Sequence, residues 1–335
     1  MEFGGHLRTP RPSGGTARPD ASEVLPMDVG ERLAPSIAAD HTRFDFSHAG
    51  GFPLGHLFGS QRERVFRHQS EIGIPSAEAI EHTPGLSVVV PAWNEEARLP
   101  KTLERYLPYL EARGQPFEII VVVDGSHDET ANVARAYATR GVHVLEFPHK
   151  LGKGGAVLQG LRAAKYDVVG YLDADGPIVP AEIERLVGAL DQADVAVGSR
   201  WAPDSVVTES QPPFRILAGR AFNVLSRVLL GLKLKDTQCG AKFMRRSMVQ
   251  SVLHQVTLSN WAFDVDLLYH MRKAGANLTE VGVTWRHDTG SKLPVMKIIP
   301  VMFFSVIGVR LMNLPISDRV PRKMIDWFVA NYGTA

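Results

Sequence analysis

The chain has a single cysteine, Cys239, among 335 residues. It can form no intrachain disulfide, and nothing in its cysteine usage calls for an oxidising compartment. It also lacks the ~20 uninterrupted apolar residues of a membrane-spanning helix. The nearest stretch, Ile298 to Ile316, is broken by Pro300, Arg310, Asn313 and Pro315, so it is expected to lie at an interface or in a core. The N-terminus has no apolar h-region, so no secretory signal is expected there. Net charge is scarce too: +1 overall, which excludes a generally basic nucleic-acid binder. The charge is nevertheless unevenly placed. Ser210 to Ala330 holds 17 Lys and Arg against 7 Asp and Glu, while the rest of the chain holds 20 against 29. That asymmetry predicts a C-terminal third facing something anionic, or else a chance cluster on a solvated face.

Residues Met1 to Pro84 are rich in Gly, Pro, Ser, His and charge, with scattered aromatics and no sustained periodicity. They read as a disordered or loosely attached extension, with one short helix expected near Ser60 to Glu71. From Leu86 the pattern changes. Apolar β-branched runs at Leu86–Pro91, Phe117–Val123, Val142–Phe147, Asp167–Leu172 and Asp194–Gly198 have the character of buried parallel strands. Helical patterns fall between them at Pro100–Arg113, Asp128–Arg140 (Asp128 as N-cap) and from the Lys150–Gly155 turn through Ala164. Alternation at this interval predicts an α/β fold, a doubly wound and mostly parallel sheet. Ligands of such sheets sit beyond the carboxyl ends of the strands, where the polar clusters of this sequence lie.

The central cluster is Asp173-Ala174-Asp175. In extended backbone, residues two apart point the same way, so both carboxylates can address one divalent cation and a diphosphate it bridges. Hard oxygen ligands favour Mg²⁺ or Mn²⁺. Such a pair is often only a turn, but here it ends a buried strand and precedes Gly176-Pro177. Pro91, Trp93 and Glu95 follow the first strand and Asp124 the second. They are candidates for nucleoside contact, or for helix-start acids favoured by the dipole. Lys150-Leu-Gly-Lys-Gly-Gly155 departs from the Walker A spacing. It is either a purely structural loop or an anion-binding helix start assisted by Lys153.

Taken together, eight ordered segments resemble the family 2 glycosyltransferases of the GT-A fold, and within them the dolichyl-phosphate β-glucosyltransferase branch. They are Val88–Glu96, Val123–Ser126, Gly152–Gly155, Asp173–Gly176, Gly198–Arg200, Asp236–Lys242, Trp261–Leu268 and Gly290–Leu293. The resemblance implies a glycosyltransferase domain over residues 85–314, with 315–335 a basic tail. It implies that Asp124 contacts the nucleoside and that Asp173 and Asp175 hold the metal and diphosphate. It further implies that Arg200, Arg286 and Lys292 meet phosphates. Nucleotide-sugar contacts are thus expected from Pro91, Trp93, Glu95, Asp124, Lys153, Asp173, Ala174, Asp175 and Arg200. Two departures stand out. Val123 occupies the place of a usual first aspartate, which bears on base recognition, and Gly176-Pro177 replaces the Leu-Gln of mannosyl-type relatives, which favours a UDP-sugar.

A phosphate acceptor suits this residue set. A phosphate monoester, with a second pKa of about 6, is already ionised at neutral pH and needs cations more than the general base that a hydroxyl requires. Asp264 and Asp266 remain open. Either could act as a base, position the sugar or Arg286, or form a helix cap with a structural ion pair; on a helix, positions i and i+2 do not share a face. Phe214–Leu232 and Val295–Leu314, with interspersed and following basic residues, read as amphipathic helices that either contact a membrane or pack on a core. The reaction implied is inverting transfer of a hexose, glucose from UDP-glucose, to polyprenyl (dolichyl-type) phosphate by a protein peripheral to the cytoplasmic face of a membrane. The alternatives are transfer to a soluble hydroxyl acceptor, or a nucleotide-sugar-binding module without turnover.

Overall fold

A computed structural model describes residues 82–209, 211–286 and 295–314, with side chains from Ile298 in the last segment. The N-terminal extension with its Ser60–Glu71 helix, the Gly290–Leu293 segment with Lys292, and the tail from Pro315 lie outside the described residues.

The five expected strands join two that were not expected, Ala241–Arg245 and Leu278–Gly282, in one seven-stranded sheet. Its members are β1 (Leu86–Ala92), β2 (Phe117–Asp124), β3 (Val142–Phe147), β4 (Val168–Leu172), β5 (Val195–Ser199), β7 (Ala241–Arg245) and β8 (Leu278–Gly282), in the order β3-β2-β1-β4-β7-β5-β8. All neighbours are parallel except β7, which runs antiparallel to β4 and β5. A separate two-stranded parallel sheet joins β6 (Val206–Glu209) to β9 (Thr284–Arg286).

Side-chain alternation along the strands builds two cores. Ile119, Val121 and Val123 of β2 face α1 (Leu99–Ala112), α2 (Thr130–Arg135) and α4 (Ala181–Gly188). Ile120 and Val122 face the other layer, made by α3 (Lys153–Ala163), α6 (Arg246–Val252), α7 (Phe263–Lys273), α5 (Pro213–Leu230) and α8 (Val295–Met312). Val123 is therefore a core residue, buried on the face opposite to Asp124.

Two local expectations shift. The helix predicted from Asp128 begins at Thr130 and gives way to a 3-10 turn at Ala138–Arg140. Asp128 instead accepts from the Thr130 and Glu96 amides, at 3.1 and 3.2 Å, tying the β2 loop to the β1 loop. The helix predicted over Phe214–Leu232 runs from Pro213 to Leu230 and stops at Gly231, whose left-handed backbone (φ 68°) suits glycine.

Candidate active site

The carboxyl ends of β4 and β5 open on a cleft of about 250 Å³; Pro91, Trp93, Glu95 and Asp124, at the ends of β1 and β2, are not among the residues that line it. Asp173 and Asp175 both line it, together with Lys153, Arg200, Gln238, Gly240, Trp261 and Trp285. They do so through a turn at Ala174–Asp175, closed by the Gly176 N–H on the Asp173 carbonyl at 2.9 Å, rather than through the expected extended backbone. The far wall of the cleft is largely apolar, from Ala218 and Phe222 on α5 and Ile298, Ile299, Met302 and Phe303 on α8, with Arg215 of α5 and Gln211 adding polar groups.

The aspartate loop is held by a ladder from α1. Thr102 Oγ1 donates to the Ala174 carbonyl at 2.7 Å, Arg105 Nη2 to that of Gly176, and Tyr106 Oη to that of Ile178 at 2.7 Å. Helix positions at i, i+3 and i+4 share one face and here meet alternate carbonyls of the segment that turns away from β4. Gly176 turns the chain with φ 56°, and a Cβ there would collide with the Arg105 guanidinium. On the other side Asp173 N donates to Gly240 O at 3.2 Å, and a Cβ on Gly240 would overlap the Asp173 carboxylate.

Lys153 opens α3 and sets its ammonium 2.7 Å from Asp173 Oδ1. Burial alone would lower its pKa, but Asp173, Asp264 and Asp175 outweigh burial and raise it, so the cation is secure. The glycines around it serve packing. A Cβ on Gly154 would strike Phe263, and Gly155 N donates to Ser259 O at 3.1 Å. The glycine-rich turn is thus a tightly packed loop that delivers one lysine to the cleft.

Asp175 Oδ1 is buried without a hydrogen-bond partner among the described residues. Burial and the neighbouring Asp173 charge push its pKa up to about 7. Two carboxyl groups this close repel when both are ionised. A buried carboxylate oxygen with no protein partner can be satisfied by a cation, so these donors fit a divalent metal with hard oxygen ligands. No set of three or more His, Cys, Asp or Glu side chains that could hold a metal occurs among the described residues. Two carboxylates would leave most of the coordination shell to a ligand's own oxygens and water.

Arg200 lines the cleft from the end of β5. Its Nε and Nη2 grip Asp236 at 2.7 and 2.9 Å, and its backbone N donates to the same carboxylate at 3.0 Å. Burial would raise the Asp236 pKa, but Arg200 outweighs it and holds the carboxyl below its usual range. Arg286 is exposed at the end of β9, next to the cleft residue Trp285 but not itself among the lining residues, and its backbone N donates to Pro177 O at 2.9 Å.

The outer part of the strand ends is a cross-linked pair of loops. Asn94 N donates to Ser126 Oγ at 3.1 Å and Glu95 N to Thr130 Oγ1 at 2.8 Å. Trp93 is 45% exposed, a large aromatic face left to solvent, with Lys150 Nζ 3.6 Å from its ring centroid. Pro91 is half-buried in β1. Glu95 pairs with Arg98 through both oxygens, at 2.5 and 2.6 Å. Asp124 is buried and accepts from Leu151 N, and from Gly152 N at 3.1 Å. Its carboxylate thus holds the loop that carries Lys150 and Lys153.

Asp264 and Asp266 diverge, as helical spacing requires. Asp264 takes the wholly buried Lys242 ammonium at 2.6 Å and the Tyr171 hydroxyl. Asp266 turns away to the Thr257 and Leu258 amides at 2.8 and 2.9 Å and to His270 at 3.2 Å. The sequence reading assigned no site role to Gln238, Gly240, Trp261 and Trp285. Three of them fall inside family-like segments, which was the available signal.

The α/β architecture with acidic strand ends around a cation-ready pair defines a nucleotide-sugar-transferase type of site, and the comparisons agree. The family model for glycosyl transferase family 2 matches residues 87–253, and the chain belongs to that family. Within it the chain stands close to the dolichyl-phosphate β-glucosyltransferases. It is 34% identical to that of Drosophila melanogaster over 259 residues, covering 72% of this chain and 79% of the relative. It is also 34% identical to that of Homo sapiens over 227 residues, covering 63% and 70%. Among solved structures it shares its fold with glucosyl-3-phosphoglycerate synthase from Mycobacterium tuberculosis. The complex with Mn²⁺ and UDP-glucose matches at 23% identity and TM-score 0.51, covering 68% of this chain and 78% of that one. The complex with Mg²⁺ and UDP matches at 22% and 0.50, with the same coverage.

Proposed function

We propose that the protein transfers glucose from UDP-glucose to a polyprenyl phosphate at a membrane surface, releasing UDP and inverting the anomeric centre. One observation carries the reading. A single cleft joins the paired carboxylates and three cations, Lys153, Arg200 and Arg215, to a largely apolar wall whose helices, α5 and α8, expose further apolar side chains outward. Residues 85–314 are assigned the catalytic unit, with the segments on either side outside it.

Asp173 and Asp175 would hold Mg²⁺ or Mn²⁺, which supplies charge neutralisation for the departing diphosphate. Lys153 fixes Asp173 and adds positive charge where that diphosphate lies. Trp93 offers a face for the uracil base, with Pro91 and Glu95 shaping the same loop, while Asp124 acts through the loop it holds. Arg200, with Arg286 beside the cleft residue Trp285, offsets repulsion between the acceptor phosphate and the diphosphate, a role the family resemblance also gives to Lys292. An acceptor phosphate oxygen forms the new bond to C1 as the bond from C1 to the UDP oxygen breaks, and that electron pair leaves with UDP. No proton has to be removed from the nucleophile, so Asp264 is assigned to positioning Lys242 and Lys153 rather than to general-base work.

Membrane contact is supported by the outward stripes. On α5, Phe214, Leu217, Val224 and Val228 are between 51% and 73% exposed at helical spacing; on α8, Phe304, Ile307 and Leu311 continue the surface. Burying such side chains is worth about 1.5–3 kcal/mol each. No helix among the described residues is long and apolar enough to cross a membrane, so attachment through these helices would be peripheral, on the cytoplasmic face where nucleotide sugars are available. Incubation with a panel of labelled nucleotide sugars, polyprenyl phosphate and Mn²⁺ or Mg²⁺ tests the reading. Lipid-soluble label is expected from UDP-glucose, and label appearing only on water-soluble acceptors would overturn it.

A further inference from the structure

Gln238 sits at the centre of a short segment, Asp236–Gly240, whose other members are all tied down. Asp236 grips Arg200 and takes the Gln238 backbone N–H at 3.2 Å. Thr237 donates through its backbone N and its hydroxyl to buried Asn223 Oδ1, at 3.0 and 2.7 Å. The Cys239 carbonyl accepts from Lys242 Nζ at 2.8 Å. Gly240 lies against the Asp173 carboxylate, where no Cβ would fit. One end of the segment is thus pinned to the arginine assigned to the acceptor phosphate, the other to the aspartate assigned to the donor diphosphate. Between them the Gln238 side chain lines the cleft, its Nε2 buried and without a hydrogen-bond partner among the described residues.

A buried amide nitrogen left unpaired costs about 1–3 kcal/mol and in a native structure calls for an explanation. Turning the amide over exchanges donor for acceptor, yet the unpaired atom remains one that a hydroxyl, donor and acceptor at once, satisfies either way. The phosphates at each end are matched by charge, through Lys153, Arg200 and the carboxylate-held cation. A neutral carboxamide midway is matched instead to the group that travels between the phosphates. We infer that Gln238 binds a hydroxyl of the transferring hexose and sets which hexose is accepted. The inference rests on the transfer reaction proposed above for the placement of the two phosphates.

The test compares wild type with Gln238→Leu, which keeps the bulk and removes both polar atoms. Calorimetry in Mn²⁺ with UDP and with UDP-glucose reads binding, and turnover with UDP-glucose and UDP-galactose on polyprenyl phosphate reads selection. Q238L is expected to leave the Kd for UDP within about twofold and to weaken UDP-glucose by roughly tenfold or more. It should also reduce the kcat/KM preference between the two hexoses. Unchanged UDP-glucose binding and unchanged preference would overturn the inference, as would equal weakening of UDP and UDP-glucose. If wild type binds UDP-glucose but labels no lipid, the proposed reaction fails while the binding comparison still decides Gln238. If neither UDP nor UDP-glucose binds wild type, both readings fall. Should Q238L fold poorly by thermal melting, Gln238→Asn, which retains the amide but shortens its reach, carries the same comparison.

Discussion

Replacing Asp264 by Asn would strand a cation in the middle of the sheet. Lys242 is 0% exposed on β7, its ammonium 2.6 Å from Asp264 Oδ1 and 2.8 Å from the Cys239 carbonyl, with the Tyr171 ring beneath it. Removing one member of a buried pair costs about 3–5 kcal/mol, because the surviving charge stays desolvated. At roughly 2–4 °C per kcal/mol for a domain of this size, D264N should melt about 6–20 °C below wild type. Replacing both members, Lys242→Met with Asp264→Asn, removes the stranded charge and should recover most of that loss. Thermal melts and urea unfolding of the three proteins read stability, and glucose transfer to polyprenyl phosphate reads function. A D264N protein as stable as wild type would refute the buried-pair reasoning. If the double variant regains stability and much of its transfer, the positioning role assigned to Asp264 holds; full stability with no transfer would assign it to the chemistry instead.

Other consequences can be checked in parallel. Asp175→Ala should abolish transfer and Mn²⁺-dependent UDP binding while leaving the melting temperature near that of wild type, as measured by calorimetry and thermal melts. Gly240→Ala should displace the Asp173 carboxylate and weaken Mn²⁺-dependent UDP binding by at least about tenfold, since a shift of the order of an ångström in a catalytic group is costly. Leu217→Asp with Val228→Asp should reduce flotation with anionic liposomes by at least about tenfold while sparing UDP binding. Wild-type binding to those liposomes should fall as salt is raised. Asp236 has a depressed carboxyl pKa through Arg200, so its stabilising contribution is present above the unfolded value of about 3.9 and is lost as pH falls through the lower folded value. The stability gap between wild type and Asp236→Asn in urea should therefore be wide at pH 7 and close below about pH 4.

The strands that lead to Asp124 and Asp173 were legible because each is a short apolar run ending abruptly in acid, a pattern set by local sequence alone. That Asp173 and Asp175 share one cleft was expected from extended backbone, but the chain turns at Ala174–Asp175, and it is this turn that keeps both carboxylates on the cleft. β7 was not legible. Its Ala-Lys-Phe-Met-Arg sequence places charges where a central strand should be apolar, and Lys242 is tolerated only because Asp264, 22 residues later, meets it. The partners of Asp124 and Glu95 were equally out of reach, since a carboxylate at a strand end looks the same whether it faces a ligand or a backbone amide. The α1 ladder depends on a helix and a loop some 72 residues apart meeting in register, which no local pattern encodes. Gln238, Trp261 and Trp285 carry no charge and follow no period, so apart from the family-like segments around the first two, only the folded cleft picks them out.

Helices α5 and α8 each have two working sides: Phe222 and Met302 look into the cleft, while Val228 and Ile307 look out. A protein resting on that outer side would meet its acceptor by lateral diffusion within a plane rather than by collision from solution. Its saturation would then follow the mole fraction of acceptor among the surrounding lipids, and diluting the acceptor with inert lipid would slow the reaction even at constant bulk concentration.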